Sequence, residues 1–233
     1  MKRDAFIFKI SKKLLFFRLR PIRVFCFHQV SDVFDPETMW ECDWMQTEVF
    51  KKRILALKEK YTFISLEEAY SHIANDKFRI KNYAVLTSDD GWASLKNIIP
   101  WLVEKKIPLT LFLNPLYMDG EHKQSRPTEK FLTKEEVSEL TTKYETYITI
   151  ASHGWSHRRC SNMSHDEFVE NIIKAESELL DIPGKIPFFA FPFGSHSNSN
   201  LMELKKRHFI PVLMDGMQNC KYSSCIHREL LEK

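Results

Sequence analysis

Residues 83–92 read Tyr-Ala-Val-Leu-Thr-Ser-Asp-Asp-Gly-Trp, an apolar run of strand-forming residues that ends in two carboxylates, Asp89 and Asp90, and a glycine able to turn the chain. Beyond it, residues 93–105 change period, with apolar side chains spaced for one face of a helix. The unit is therefore strand, polar tip, helix. The same alternation continues in both directions, with β-like runs at 23–30, 61–65, 109–113, 147–151, 187–191 and 210–214 and helical patterns at 47–60, 66–73, 133–143, 164–180 and 200–208. Ser164 followed by Glu167 is a capping box at one helix start. Seven strands alternating with six helices predict an α/β domain of parallel βα units, and both a closed barrel and an open doubly wound sheet satisfy that periodicity.

Composition supports one folded unit. Of 233 residues, 43% are hydrophobic and 28% charged, with ten prolines and six glycines, which excludes collagen-like, low-complexity and wholly disordered chains. A chain of this length buries roughly 70% of its unfolded surface. The net charge of +3 is too balanced to mark a nucleic-acid-binding protein. It is unevenly placed, because residues 1–23 carry eight basic side chains and one acid, +7, and leave −4 for the rest. We therefore divide the chain into a basic arm, 1–22, and a domain, 23–233. Lysines at 9, 12 and 13 interrupt any secretory apolar core in the arm. Two readings of it remain, an amphipathic helix on an anionic membrane surface or a helix packed on the domain. No later segment approaches the roughly 18 apolar residues of a membrane span. Five cysteines, an odd number, argue against a disulfide framework and for a reducing compartment. Cys220 and Cys225 lack the second Cys or His pair of a structural zinc site.

Chemistry gathers at predicted strand ends. Adjacent acids such as Asp89 and Asp90 face opposite ways within a strand, so a turn is needed to aim both at one place, where one can bind a cation and the other accept a proton. An Asp helix cap is the plainer reading of the same pair. His153-Gly154-Trp155-Ser156-His157 is an H-x-x-x-H spacing, and on one helical turn the two rings would share a face and a metal. Two histidines and an aspartate leave coordination positions for water and substrate. Phe191-Pro192-Phe193-Gly194 follows an apolar strand, and His28 interrupts another near its end. Each piece alone is weak.

Together they resemble the polysaccharide deacetylase family, the NodB homology domain of carbohydrate esterase family four, over about residues 23–229. Thr87-Ser88-Asp89-Asp90-Gly91 answers its T-F-D-D-G, residues 152–157 its S/N-H-T-x-S-H, and residues 190–194 its R-x-P-Y-G. The resemblance implies an irregular seven-stranded parallel (β/α) barrel. It implies a divalent metal, zinc foremost, on Asp90, His153 and His157, Asp89 as general base toward a metal-bound water, and the backbone N–H of Phe193 toward the oxyanion. Ala190 stands where many members carry an arginine that orients the base. A branch similar to the exopolysaccharide deacetylases reads F-A-Y-P-x-G there and opens with Y-H-x-V, which this chain fits. In that branch the first-strand histidine is the general acid, which points to His28, with His227 the second candidate and Arg228 expected near the substrate. Trp92 and Trp155 are candidates to stack on sugar rings.

The function so implied is metal-dependent hydrolysis of the N-acetyl group of an N-acetylated sugar in a glycan, glycolipid or polysaccharide precursor. Such an enzyme would be cytoplasmic or peripheral on the inner membrane surface, with no nucleic-acid partner. The alternatives are a non-catalytic glycan- or partner-binding module that keeps the fold, suggested by Ala190, and a metal hydrolase acting on another bond.

Overall fold

The computed structural model describes residues 21–33, 44–75, 81–118, 131–219 and 223–231. Residues 1–20 of the arm, Cys42 and Cys220 lie outside them, and so does any pairing of Cys220 with Cys225. In chain order the elements are β1 Arg23–Phe27, β2 Gln29–Val30, β3 Trp44–Met45, α1 Thr47–Lys60, β4 Thr62–Phe63, α2 Leu66–Ala74, β5 Tyr83–Asp90, α3 Leu95–Glu104, β6 Leu109–Leu113, α4 Pro115–Met118, α5 Lys134–Lys143, β7 Ile148–Ser152, α6 His165–Leu179, β8 Lys185–Ala190, α7 Asn198–Lys206, β9 Ile210–Met214 and β10 Ile226–Leu230.

Seven strands close a parallel barrel in the order β1-β5-β6-β7-β8-β9-β10, because β1 pairs with both β5 and β10. The period-two alternation of the strands sorts their residues between an inner core and the outer packing. Val24, Val85, Phe112, Ala151, Phe188, Ala190, Val212 and Ile226 form one cluster. Phe25, Phe27, Leu86, Leu111 and Ile150 turn the other way and pack with Ile98, Ile99 and Leu102 of α3. Both faces are thus buried, which is why β6, Leu-Thr-Leu-Phe-Leu, reads as a continuous run.

Two strand assignments change. The predicted strand at 61–65 is only Thr62–Phe63, which pairs with Tyr83 and Ala84 at the start of β5 and stands outside the ring. The seventh barrel strand is β10, which the predicted strands do not include; its sequence, Ile-His-Arg-Glu-Leu, is polar at three of five positions. Its pattern is polar because Arg228 points into the barrel and finds a charge there. Ile22, assigned to the arm, is buried and bridged to Asn219, so it belongs with the barrel.

Candidate metal and catalytic centre

The unusual residues meet at the barrel mouth, where the strands end. β5 runs through Thr87, whose hydroxyl donates to the Phe25 carbonyl, to Asp89 and Asp90. The Gly91 N–H donates to the Asp89 carbonyl at 3.0 Å and closes a three-residue turn whose central residue, Asp90, has φ 71°. That rotation brings both carboxylates to one cavity. Gly91 itself sits at φ 79°, and a Cβ there would lie 2.7 Å from the Leu113 side chain.

The histidine pair is on a loop and not on a helical turn, which corrects the sequence reading: Gly154 at φ 75° and His157 at φ 48° break any helix. Two buried asparagines shape that loop. Asn114 donates to the carbonyls of His153 and Gly154, and Asn171 on α6 accepts from the backbone N–H groups of Trp155 and Ser156 and from the Ser156 hydroxyl. His153 Nδ1 lies 2.9 Å from the Ala190 carbonyl, which assigns it the proton and leaves Nε2 as a lone pair facing the acids. That Nε2 is 3.5 Å from Asp90 Oδ1, and His157 Nε2 is 3.1 Å from the same oxygen.

The ligand atoms of Asp90, His153 and His157 all lie within 4.8 Å of one another. Asp90 Oδ1 is buried and, among the described residues, has no aligned hydrogen-bond donor, despite the nearby rings. An orphaned buried carboxylate oxygen between two imidazole nitrogens is a donor set that fits a divalent cation. Three site residues, Asp90, His157 and Phe193, hold positive φ, a cost of about 1–3 kcal/mol each that a built site can carry.

Asp89 is held differently. Arg228 reaches it with two parallel bonds of 2.7 and 2.8 Å and also donates to Thr87, with Phe112 beneath its guanidinium. Burial opposes the charge on Asp89, but the Arg228 guanidinium outweighs it and holds the carboxyl below its usual range. Asp90 is likewise held low against its burial, chiefly by His157. Burial pushes His153 down to about 4, so its ring is neutral. His157 moves up, because the pull of Asp90 exceeds its own desolvation.

The other expected residues divide. His28 follows β1, and one of its ring nitrogens lies within 4.8 Å of an Asp89 oxygen. Phe193, 56% exposed, packs against His157 with ring centroids 4.6 Å apart and planes tilted by 44°. Trp92 ends a row of rings that runs through Phe131 and Tyr117 to His157. Trp155 is not in that row; its ring lies under Lys174 of α6. Arg228, expected beside the substrate, is instead 1% exposed and paired with Asp89. His227, the second candidate acid, takes the opposite face of β10, since neighbours on a strand alternate, and its Nδ1 meets Asp215 at 2.9 Å. Sequence reading missed Asn114, Asn171, Phe131 and Tyr117; only the polarity of Asn171 on the packed face of α6 signalled one of them.

The polysaccharide deacetylase family matches residues 77–210, more than half of the chain, and the chain belongs to that family. Among solved structures, IcaB from Ammonifex degensii superposes with a TM-score of 0.76 at 18% identity, covering 91% of each chain. The Streptococcus pyogenes deacetylase PplD, solved in complex with acetate, gives 0.75 at 17%, over 90% of this chain and 92% of that one. The BpsB deacetylase domain from Bordetella bronchiseptica gives 0.69 at 17%, over 91% and 96%. At these identities the likeness is one of fold. A comparison with curated proteins finds no match.

Proposed function

We propose that this chain is a metal-dependent carbohydrate N-deacetylase that hydrolyses the acetamide of an N-acetylated sugar in a glycan, glycolipid or polysaccharide precursor. The observation that carries the reading is the pairing of an Asp-His-His set with a second carboxylate, Asp89, locked beside it by Arg228. Asp90, His153 and His157 would hold the metal, for which zinc is the first to test. When bound, such an ion acidifies a water and polarises a carbonyl.

The remaining work falls to this chain's own side chains. Asp89, kept ionised by Arg228, accepts the proton released as water adds to the acetamide carbonyl. His28, on the neighbouring strand, gives a proton to the departing nitrogen, so that acetate and a free amine leave. The backbone N–H of Phe193, in the corner that follows β8, would donate to the developing oxyanion. Ala190 removes an arginine from β8, the feature that favoured a non-catalytic module, but Arg228 on β10 supplies a guanidinium to the same carboxylate.

Free-amine release from a panel of N-acetylglucosamine oligomers and lipid-linked N-acetyl sugars, with zinc added, tests the reading. The wild type should release amine, and Asp89→Asn should lose about 10²–10⁴-fold while still binding zinc. Release of no amine from any substrate by a zinc-loaded wild type would favour the binding module. The charge of the arm supports contact with an anionic membrane face, and sedimentation of the full chain with anionic and neutral vesicles tests it.

A further inference from the structure

Cys26 takes no part in the chemistry above, yet it lies directly under it. Cys26 lies on the inward side of β1, while Phe25 and Phe27 pack in the outer core, and His28 follows the strand directly. Cys26 pairs in register with Thr87, and Asp89 is the next inward residue of β5. The Cys26 sulfur, a His28 ring nitrogen and an Asp89 oxygen all lie within 4.8 Å of one another. Thiolate, imidazole and carboxylate are the three ligand types of zinc, and the thiolate biases such a set toward soft and borderline ions over magnesium or calcium.

We infer that Cys26, His28 and Asp89 form a second, inhibitory site for a thiophilic divalent cation such as zinc or cadmium, filled only when metal is in excess. This rests on the deacetylase reading for the word inhibitory and on geometry alone for the site. Cys26 is fully buried and Asp89 nearly so, whereas His28 is partly exposed, so the ion enters from the mouth past His28. Arg228 occupies two of the roughly four lone-pair directions of the Asp89 carboxylate and leaves the others for a metal. Its positive charge, and a first ion on Asp90, make this the weaker of the two sites. Binding displaces the thiol proton of Cys26 to solvent and ties up the base and the acid together, so turnover stops.

The test is a zinc titration of the metal-stripped full chain, followed by calorimetry and by amine release, for wild type, Cys26→Ser and Cys26→Ala. Wild type should bind a first equivalent that supports turnover and a weaker one whose filling abolishes it. Both variants should keep the first equivalent and the turnover at one equivalent, and need at least about 10–100-fold more zinc for inhibition, since losing a direct ligand costs no less than losing an outer-shell support. With cadmium, the ultraviolet thiolate-to-metal absorption of the second phase should be present in wild type and missing from both variants. If either folded variant shows the wild-type second phase and the same inhibitory zinc concentration, the site does not exist. The binding and absorption readouts decide this even if no substrate in the panel is turned over, so a failure of the deacetylase reading leaves the metal result interpretable.

Discussion

Asp89 and Asp90 are chemically identical neighbours, and what separates their roles is the partner each meets. Asp90 faces two imidazoles, and Asp89 faces a guanidinium. Arg228 is thus a positioning residue, and its bidentate grip cannot be reproduced by an ammonium group. Arg228→Lys should therefore lower kcat more than it raises KM. It should also move the acid limb of the pH–kcat/KM profile to higher pH. The sign follows from the carboxyl: Arg228 holds Asp89 low, the proposed base would work above that pKa and fail as pH falls through it, and weakening the pair would raise the point of failure. An unmoved acid limb with unchanged kcat would remove Arg228 from the machinery. Stability carries the same signature. A lowered folded pKa contributes stability present above the unfolded value near 3.9 and lost as pH falls toward the folded one. Arg228→Met leaves Asp89 buried and unpaired, and chemical denaturation at pH 7 should show a loss of about 3–5 kcal/mol.

At the scale of elements, the histidine loop is held by a helix it does not belong to. Asn171 of α6 accepts three hydrogen bonds from Trp155 and Ser156, and no other residue type of that size offers such an acceptor at that depth except aspartate. Asn171→Ala should leave the fold intact and weaken metal binding about 10–100-fold, measured by zinc calorimetry, because an outer-shell support of the ligands is lost. Gly154→Ala should be worse. Its Cβ would lie 2.7 Å from Asn171 Nδ2, and its φ of 75° strains any residue with a side chain. The measurement is again metal affinity, with circular dichroism as the control for folding; wild-type affinity in either variant would show that the loop keeps its shape unaided.

For the whole molecule, β10 is both a structural closure and the source of Arg228. It pairs with β1 through Phe25 and Cys26 and with β9 through Val212, Leu213 and Met214. A chain ending before residue 223 should open the ring between β1 and β9 and expose its apolar lining. The expected outcome is loss of the cooperative thermal transition, read by near-ultraviolet circular dichroism; retention of a wild-type transition would mean that six strands suffice. The cores on the two faces of the strands explain the cooperativity, since β1, β5, β6 and β7 join the inner cluster to one outer cluster and β8 and β9 join it to another.

What the amino-acid sequence determined by itself was whatever depends on local pattern. The strands at 109–113 and 210–214 and the helix at 47–60 were legible to the residue, because apolar period and turn residues are properties of neighbours. The capping box of Ser164 and Glu167 was legible for the same reason. So was the family, carried by three short motifs. Tertiary structure alone decided which strand closed the barrel, since the charge that β10 carries inward on Arg228 is met by Asp89, 139 positions away. It decided that His227 faces Asp215 and Arg228 faces Asp89, a matter of which side of a strand each takes. It also decided that His153 and His157 meet Asp90 from a loop, because two positive-φ positions, invisible in residue type at His157, set the path of the chain. Local rules shape the pieces, while long-range charge pairing and packing choose their neighbours.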